Sequence, residues 1–248
     1  MSEKFRDFLK DSIRKMIDSS TTDQSRGLKP PSAEKPCNPE DKRINLIKPG
    51  DWKSIPEVSV ETAMAKRKSR RSYTEDAIKL EELSFLLWAT QGLREKRSAV
   101  RNYRTVPSAG CRHALETYIA AFRVEGISKA VYRYLPMSHQ LVEVVKHKDL
   151  EGLLIKAASD QSFAGESAVT FIWTTIPARM EWRYGRASYK VIAIDAGHVC
   201  QNLYLACEAI GAGTCAIAAY DQEIADSILG IDGVEEFTIY MAPVGKVQ

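Results

Sequence analysis

The chain has 248 residues and 27.7 kDa, is 44% hydrophobic and 27% charged, and carries 35 basic against 32 acidic side chains. That is an ordinary globular composition, with apolar material for one large or two small cores and no need of staples. A formal charge of +3 is too near neutral to argue for nucleic acid or membrane, so electrostatic arguments rest on local clusters. Five cysteines, Cys37, Cys111, Cys200, Cys207 and Cys215, form no CxxC pair, which suits a reducing compartment and neither a disulfide framework nor a zinc knuckle. No uncharged stretch reaches the about 18 residues of a membrane span, so the expected location is the cytoplasm.

Phe5, Phe8, Leu9, Ile13, Met16 and Ile17 recur at three- and four-residue spacing, which predicts an amphipathic helix over 3–18. Residues 19–43 lose periodicity and collect Ser, Thr, Pro and charge, as a linker or an extended wrapping segment does. Residues 1–50 are therefore set apart from a folded unit over 51–248. Within that unit, helices are expected over 61–68 and 80–91, the second stopped by Gly92. The runs at 115–124, 129–135 and 141–145 are rich in β-formers and closely spaced, hence antiparallel neighbours. A helix over 149–159, a buried strand over 168–176 and a closing strand at FTIYMAPVG follow. The longest helical signal is the stripe of Ala196, Val199, Cys200, Leu203, Ala206, Cys207 and Ile210, ended by Gly211.

Gly211, Gly213 and Ala216 in GAGTCA fit a dinucleotide fingerprint in the wrong context, since a helix precedes it and TCAIAAY after it reads as a strand. There is no GxSxG, Walker loop or HExxH, and His113, His139, His147 and His198 lack metal-ligand spacing. Two features remain. Lys66, Arg67, Lys68, Arg70 and Arg71 place five positive charges in six residues ahead of Ser72. Such a run is a solvated face, a nucleic-acid patch, or fork-shaped donors plus a hydroxyl for a phosphate monoester. Pro107, Ser108, Ala109 and Gly110 form a small-residue loop, either a plain turn or one whose N–H groups can approach a flat ligand edge.

RRSY at 70–73, PSAG with His113 and Glu116 following, GISKAVYRYLP, the AGHVCQNLYLACEAIGAG helix and the terminal PVGK, taken in order, resemble the FMN-dependent nitroreductase family. Within it they are most similar to the SagB-type thiazoline and oxazoline dehydrogenase branch, which acts on modified peptides. The resemblance covers about residues 60–248. It implies an α+β fold, a central antiparallel-rich sheet flanked by helices, in an intertwined homodimer with two interfacial FMN sites. By matching positions, Arg70, Arg71 and Ser72 would hold the phosphate and ring edge, and Pro107, Ser108, Ala109 and Gly110 would lie along the flavin of the partner subunit. Ala218 and Ala219 stand where many members present a Glu-Gly pair, and Lys246 where a second phosphate-binding cation is often found. Thr74 replaces a basic residue usual in the family. The chain ends at Gln248, without the long C-terminal arm of some members, and the N-terminal helix is expected to take that place on the neighbouring subunit.

The implied activity is ping-pong hydride transfer from NAD(P)H through flavin N5 to a small electrophile such as a nitroarene or quinone. In the alternative, a peptide azoline is oxidised with the help of a general base that the sequence does not name. A flavin- or nucleic-acid-binding module without turnover is the reading from another class, weakened because only Tyr73 and Tyr103 interleave the basic runs.

Overall fold

The computed structural model describes residues 6–98 and 101–248. The chain runs through β1 (Arg43–Asn45), α1 (Val60–Lys66), α2 (Leu80–Gln91), the hairpin β2 (Leu93–Lys96) and β3 (Asn102–Arg104), and the meander β4 (Leu115–Ala121), β5 (Ala130–Leu135) and β6 (Gln140–Val145). After α3 (Leu150–Ala157) and α4 (Phe163–Glu166) come β7 (Val169–Thr175), α5 (Ala178–Tyr184), α6 (Ser188–Ala209), β8 (Ala212–Thr214), α7 (Gln222–Leu229) and β9 (Phe237–Lys246).

Seven strands form one sheet in the order β1-β6-β5-β4-β7-β9-β8, and every adjacent pair is antiparallel. β4 and β7 are buried along their whole length because helices cover both faces. Alternate residues therefore enter different cores: Ile119, Phe171 and Trp173 pack with Leu83, Leu87, Val199 and Leu203 of α2 and α6, while Tyr118, Ala120 and Ile172 pack with Leu154 and Ile228 of α3 and α7. This two-sided burial is why AVTFIWTTI reads as a continuous apolar run. Ser59, Asp149 and Asp221 cap α1, α3 and α7 by accepting the N–H of Thr62, Gly152 and Ile224, each at 3.0 Å.

The expected helices and strands of the body are present, with α6 beginning eight residues before its small-residue stripe. TCAIAAY is corrected: the strand is Ala212–Thr214, and beyond it only an isolated bridge joins Ile217 to Met241. The expected helix over 3–18 is also corrected. Short 3-10 turns occur at Asp7–Leu9, Ser12–Met16 and Ser19–Thr21, and Phe5 lies outside the described residues. A segment of this length is marginal as a helix without packing, and here Phe8, Leu9 and Met16 remain 51%, 70% and 85% exposed.

Residues 31–36 take the wrapping alternative. Pro31, Ala33, Lys35 and Pro36 present carbonyls to Arg112, Arg104 and Arg133, at 2.6 to 3.3 Å. The strap closes over Glu116, whose carboxylate accepts from Arg179 at 2.6 Å, Lys35 N–H at 2.8 Å and Arg133 at 3.3 Å. Burial would raise its pKa, yet Arg179 and Arg133 beside it hold the carboxyl below the usual range.

Candidate cofactor site

The basic segment is fixed at the edge of the sheet. Arg70 N–H donates to the Thr214 carbonyl and Thr74 N–H to that of Lys246, each at 2.9 Å, so residues 70–74 run from β8 to the end of β9. Tyr73 fixes the turn between them, its hydroxyl donating to the carbonyls of Arg70 at 2.9 Å and Pro243 at 3.2 Å. Two glycines make this approach possible. A Cβ on Gly213 would lie 2.5 Å from Arg70 Cγ, and one on Gly245 would lie 2.7 Å from the Tyr73 ring.

The result is a groove of about 540 Å³ lined by Lys68, Arg70, Arg71, Ser72, Thr74 and Gln248 among others. Arg70 Nε is buried without a hydrogen-bond partner. Arg71 and Ser72 are exposed, and Arg71 makes neither a hydrogen bond nor an ion pair among the described residues, its guanidinium lying 5.9 Å from the Phe163 ring centroid. A buried guanidine N–H left open, beside a second arginine and a hydroxyl, suits a tetrahedral dianion. Thr74 bonds Asp76 at 2.8 Å and adds no charge.

Lys246 departs from expectation. Its ammonium donates to Glu82 Oε1 and to the Ile210 carbonyl, both at 2.6 Å. Glu82 in turn accepts Lys79 N–H at 2.9 Å, so the lysine staples the start of α2, the end of α6 and the last strand instead of facing the groove.

Pro107–Gly110 lies elsewhere in the subunit, Pro107 and Ser108 lining a separate cavity of about 320 Å³ with Arg94, Tyr103, Arg104, Cys111 and His113. Burial holds His113 neutral, with a pKa lowered to about 3. Gly110 has φ of +58°, and a Cβ there would come within 2.7 Å of the Tyr184 hydroxyl. Ala218 and Ala219 are exposed on the connection from β8 to α7, where the Ala219 carbonyl accepts from Gln161 at 3.3 Å. The structure thus brings Arg70, Arg71 and Ser72 together and leaves the loop in a different cavity of the same chain. Among the described residues no cluster of three or more His, Cys, Asp or Glu could hold a metal, and no helix is long and apolar enough to cross a membrane.

Residues 64–246 match the family model described as the nitroreductase family. The chain belongs to that family. It is 32% identical over 193 residues to MJ1384 of Methanocaldococcus jannaschii, named as a nitroreductase, covering 77% of this chain and 93% of that one. Over 133 residues it is 29% identical to the trifolitoxin-processing protein TfxB of Rhizobium leguminosarum bv. trifolii, which is 52% of this chain and only 36% of TfxB. Among solved structures, one from Anabaena variabilis named as a nitroreductase has a TM-score of 0.67 at 24% identity, matching 85% of this chain and 42% of that longer one. The Escherichia coli microcin synthetase McbBCD complex, solved with truncated pro-MccB17 bound, has a TM-score of 0.62 at 19% identity, covering 84% of this chain and 79% of that chain. These two likenesses establish the fold.

The nitroreductase fold explains residues that the sequence reading passed over. Gly213 and Gly245 stand in motifs noticed for other reasons, but that they clear space for Arg70 and Tyr73 is a long-range fact with no local signal. Tyr204 is another: its hydroxyl sits 3.0 Å from Ser69 Oγ and accepts Ala216 N–H at 2.9 Å, while its ring lies 5.3 Å from the Arg67 guanidinium, bracing the basic segment from α6.

Proposed function

We propose that the chain is an FMN-dependent oxidoreductase that takes electrons from NAD(P)H and passes them to a small electrophile such as a nitroarene or quinone, as a cytoplasmic homodimer. The observation that carries this reading is the groove with an open, buried Arg70 N–H, Ser72, and an Arg71 that is unpaired among the described residues, in a member of an oxidoreductase family. When bound, FMN supplies the hydride chemistry, which is why no triad or metal set is required of the protein.

The residues present have binding and orienting roles. Arg70 and Arg71 neutralise and fork onto the phosphate, and Ser72 donates its hydroxyl. Gly213 and Gly245 hold the arginine segment against the sheet, and Lys246 acts at one remove, by fixing the strand end that receives Thr74 N–H. Pro107–Gly110 and the Ala218–Ala219 turn serve the ring, the former from the partner subunit; this division agrees with the loop and the groove lying in separate cavities of one chain.

Purified protein should be yellow, release FMN on denaturation, and bleach with NADH or NADPH under anaerobic conditions. Colourless protein that takes up no FMN would overturn the reading. The trifolitoxin-processing relative favours a second reading, oxidation of a peptide azoline. Bound flavin that resists NAD(P)H but is reduced by a thiazoline peptide would select it.

A further inference from the structure

The Pro107–Gly110 loop is held from inside by a carboxylate that has no lysine or arginine partner among the described residues. Asp195, one turn into the buried part of α6, is 5% exposed, and its Oδ2 accepts Ala109 N–H at 3.3 Å, with the Ser108 side chain beside the carboxylate. Ser108 Oγ accepts His113 N–H at 3.0 Å, which ties the loop to the residues that follow it. No lysine or arginine pairs with Asp195 among the described residues, and His198 Nδ1, on a ring about half exposed, lies 4.0 Å away. Burial accordingly pushes its pKa up.

An uncompensated buried carboxylate is costly to a fold, so its benefit has to lie in what it arranges. Here it arranges the polarity of the loop. The Ser108 and Ala109 carbonyls accept the N–H groups of Cys111 and Arg112 at 3.0 and 3.2 Å, and Ala109 N–H turns inward to Asp195. The alternate N–H groups of Ser108 and Gly110 make no hydrogen bond among the described residues, and neither does the Pro107 carbonyl. Two open donors two residues apart, with an acceptor beside them on a partly exposed small-residue loop, match the edge of a planar heterocycle bearing ring nitrogens and carbonyls.

We infer that Asp195 is a positioning residue: by engaging Ala109 N–H it sets the loop so that the Ser108 and Gly110 N–H groups are left to the flavin. The inference rests on the proposed placement of this loop along FMN. It gives the buried charge a role in cofactor binding, at the expense of stability.

The test measures FMN affinity by quenching of flavin fluorescence, the visible band of bound FMN, and the Tm of the apoprotein, in Asp195→Asn and Ser108→Ala. Asp195→Asn removes the charge and one of the two acceptors while keeping the shape. Both variants should bind FMN at least fivefold more weakly with a shifted visible band, and the Asn apoprotein should melt no lower than wild type. A purely structural role predicts the reverse, a lower Tm with unchanged FMN affinity and band, and that result in both variants overturns the inference. Arg71→Ala separates the two readings. If it weakens FMN while both loop-side variants leave it unchanged, only the role of Asp195 fails; if wild type binds no FMN, the proposed function fails and this inference with it.

Discussion

Replacing Glu116 with glutamine should be among the most damaging single changes that avoid the groove. In the folded chain its carboxylate accepts from Arg179, Arg133 and the Lys35 backbone and is 3% exposed. Glutamine keeps the volume but turns one acceptor into a donor and strands two buried guanidinium groups. Breaking such a pair costs about 3–5 kcal/mol. The lower end applies, because Arg133 keeps the Lys35 and Pro36 carbonyls and Arg179 keeps that of His113. About 3 kcal/mol in a chain of this size lowers Tm by about 6–12 °C. The pH dependence follows from the sign of the shift. Glu116 titrates lower in the folded state than the about 4.3 of an unfolded glutamate, so its contribution is full above that value and is lost as pH falls through the folded pKa. His113, lowered to about 3, adds a separate loss as pH drops below about 6.5, because the unfolded chain takes up that proton first. Calorimetry of Glu116→Gln from pH 3 to 8 should show the lower Tm and a shallower acid limb below about pH 4.3, with the His113 limb intact. A Tm within about 2 °C of wild type, less than 1 kcal/mol of destabilisation allows, would refute the account of the cluster.

Arg71→Ala should weaken FMN by roughly 10- to 150-fold, the equivalent of about 1.5–3 kcal/mol for a hydrogen bond to a charged group, read by fluorescence titration. Gly213→Ala should displace Arg70 and lower FMN affinity without touching the cofactor, since the new Cβ meets Arg70 Cγ at 2.5 Å; unchanged affinity would contradict the packing argument. Leu203→Ala, fully buried on α6, should cost about 2–5 kcal/mol by denaturant melt. Deleting residues 1–43 strips the carbonyls from Arg104, Arg112 and Arg133 and should lower Tm and weaken dimerisation by light scattering while FMN stays bound.

Local pattern carried much of the body into view. The β4–β6 meander was legible because β-rich runs lay a few residues apart, and α6 because small apolar residues recur at helical spacing. The N-terminal stripe failed for a physical reason: periodicity states which face would be buried and cannot supply the surface that buries it, so Phe8, Leu9 and Met16 stay exposed on short turns. Arg70, Arg71 and Ser72 were legible as a phosphate-like cluster, and all three line one groove. Lys246 was legible as a nearby cation, but its choice of Glu82 over the groove is set by residues 164 positions apart. The burial of Asp195 had no local signal, since a single acid on a helix becomes unusual only when tertiary packing buries it against a loop 86 residues away.

The central claim, that the Arg70–Ser72 groove binds the phosphate of FMN, is tested most directly by titrating the apoprotein with FMN and with riboflavin, which lacks the phosphate. Wild type should prefer FMN by at least tenfold, and Arg71→Ala should erase most of that preference by losing FMN affinity while riboflavin binding stays the same. Equal affinity of wild type for the two flavins, or a preference unchanged in Arg71→Ala, would contradict it.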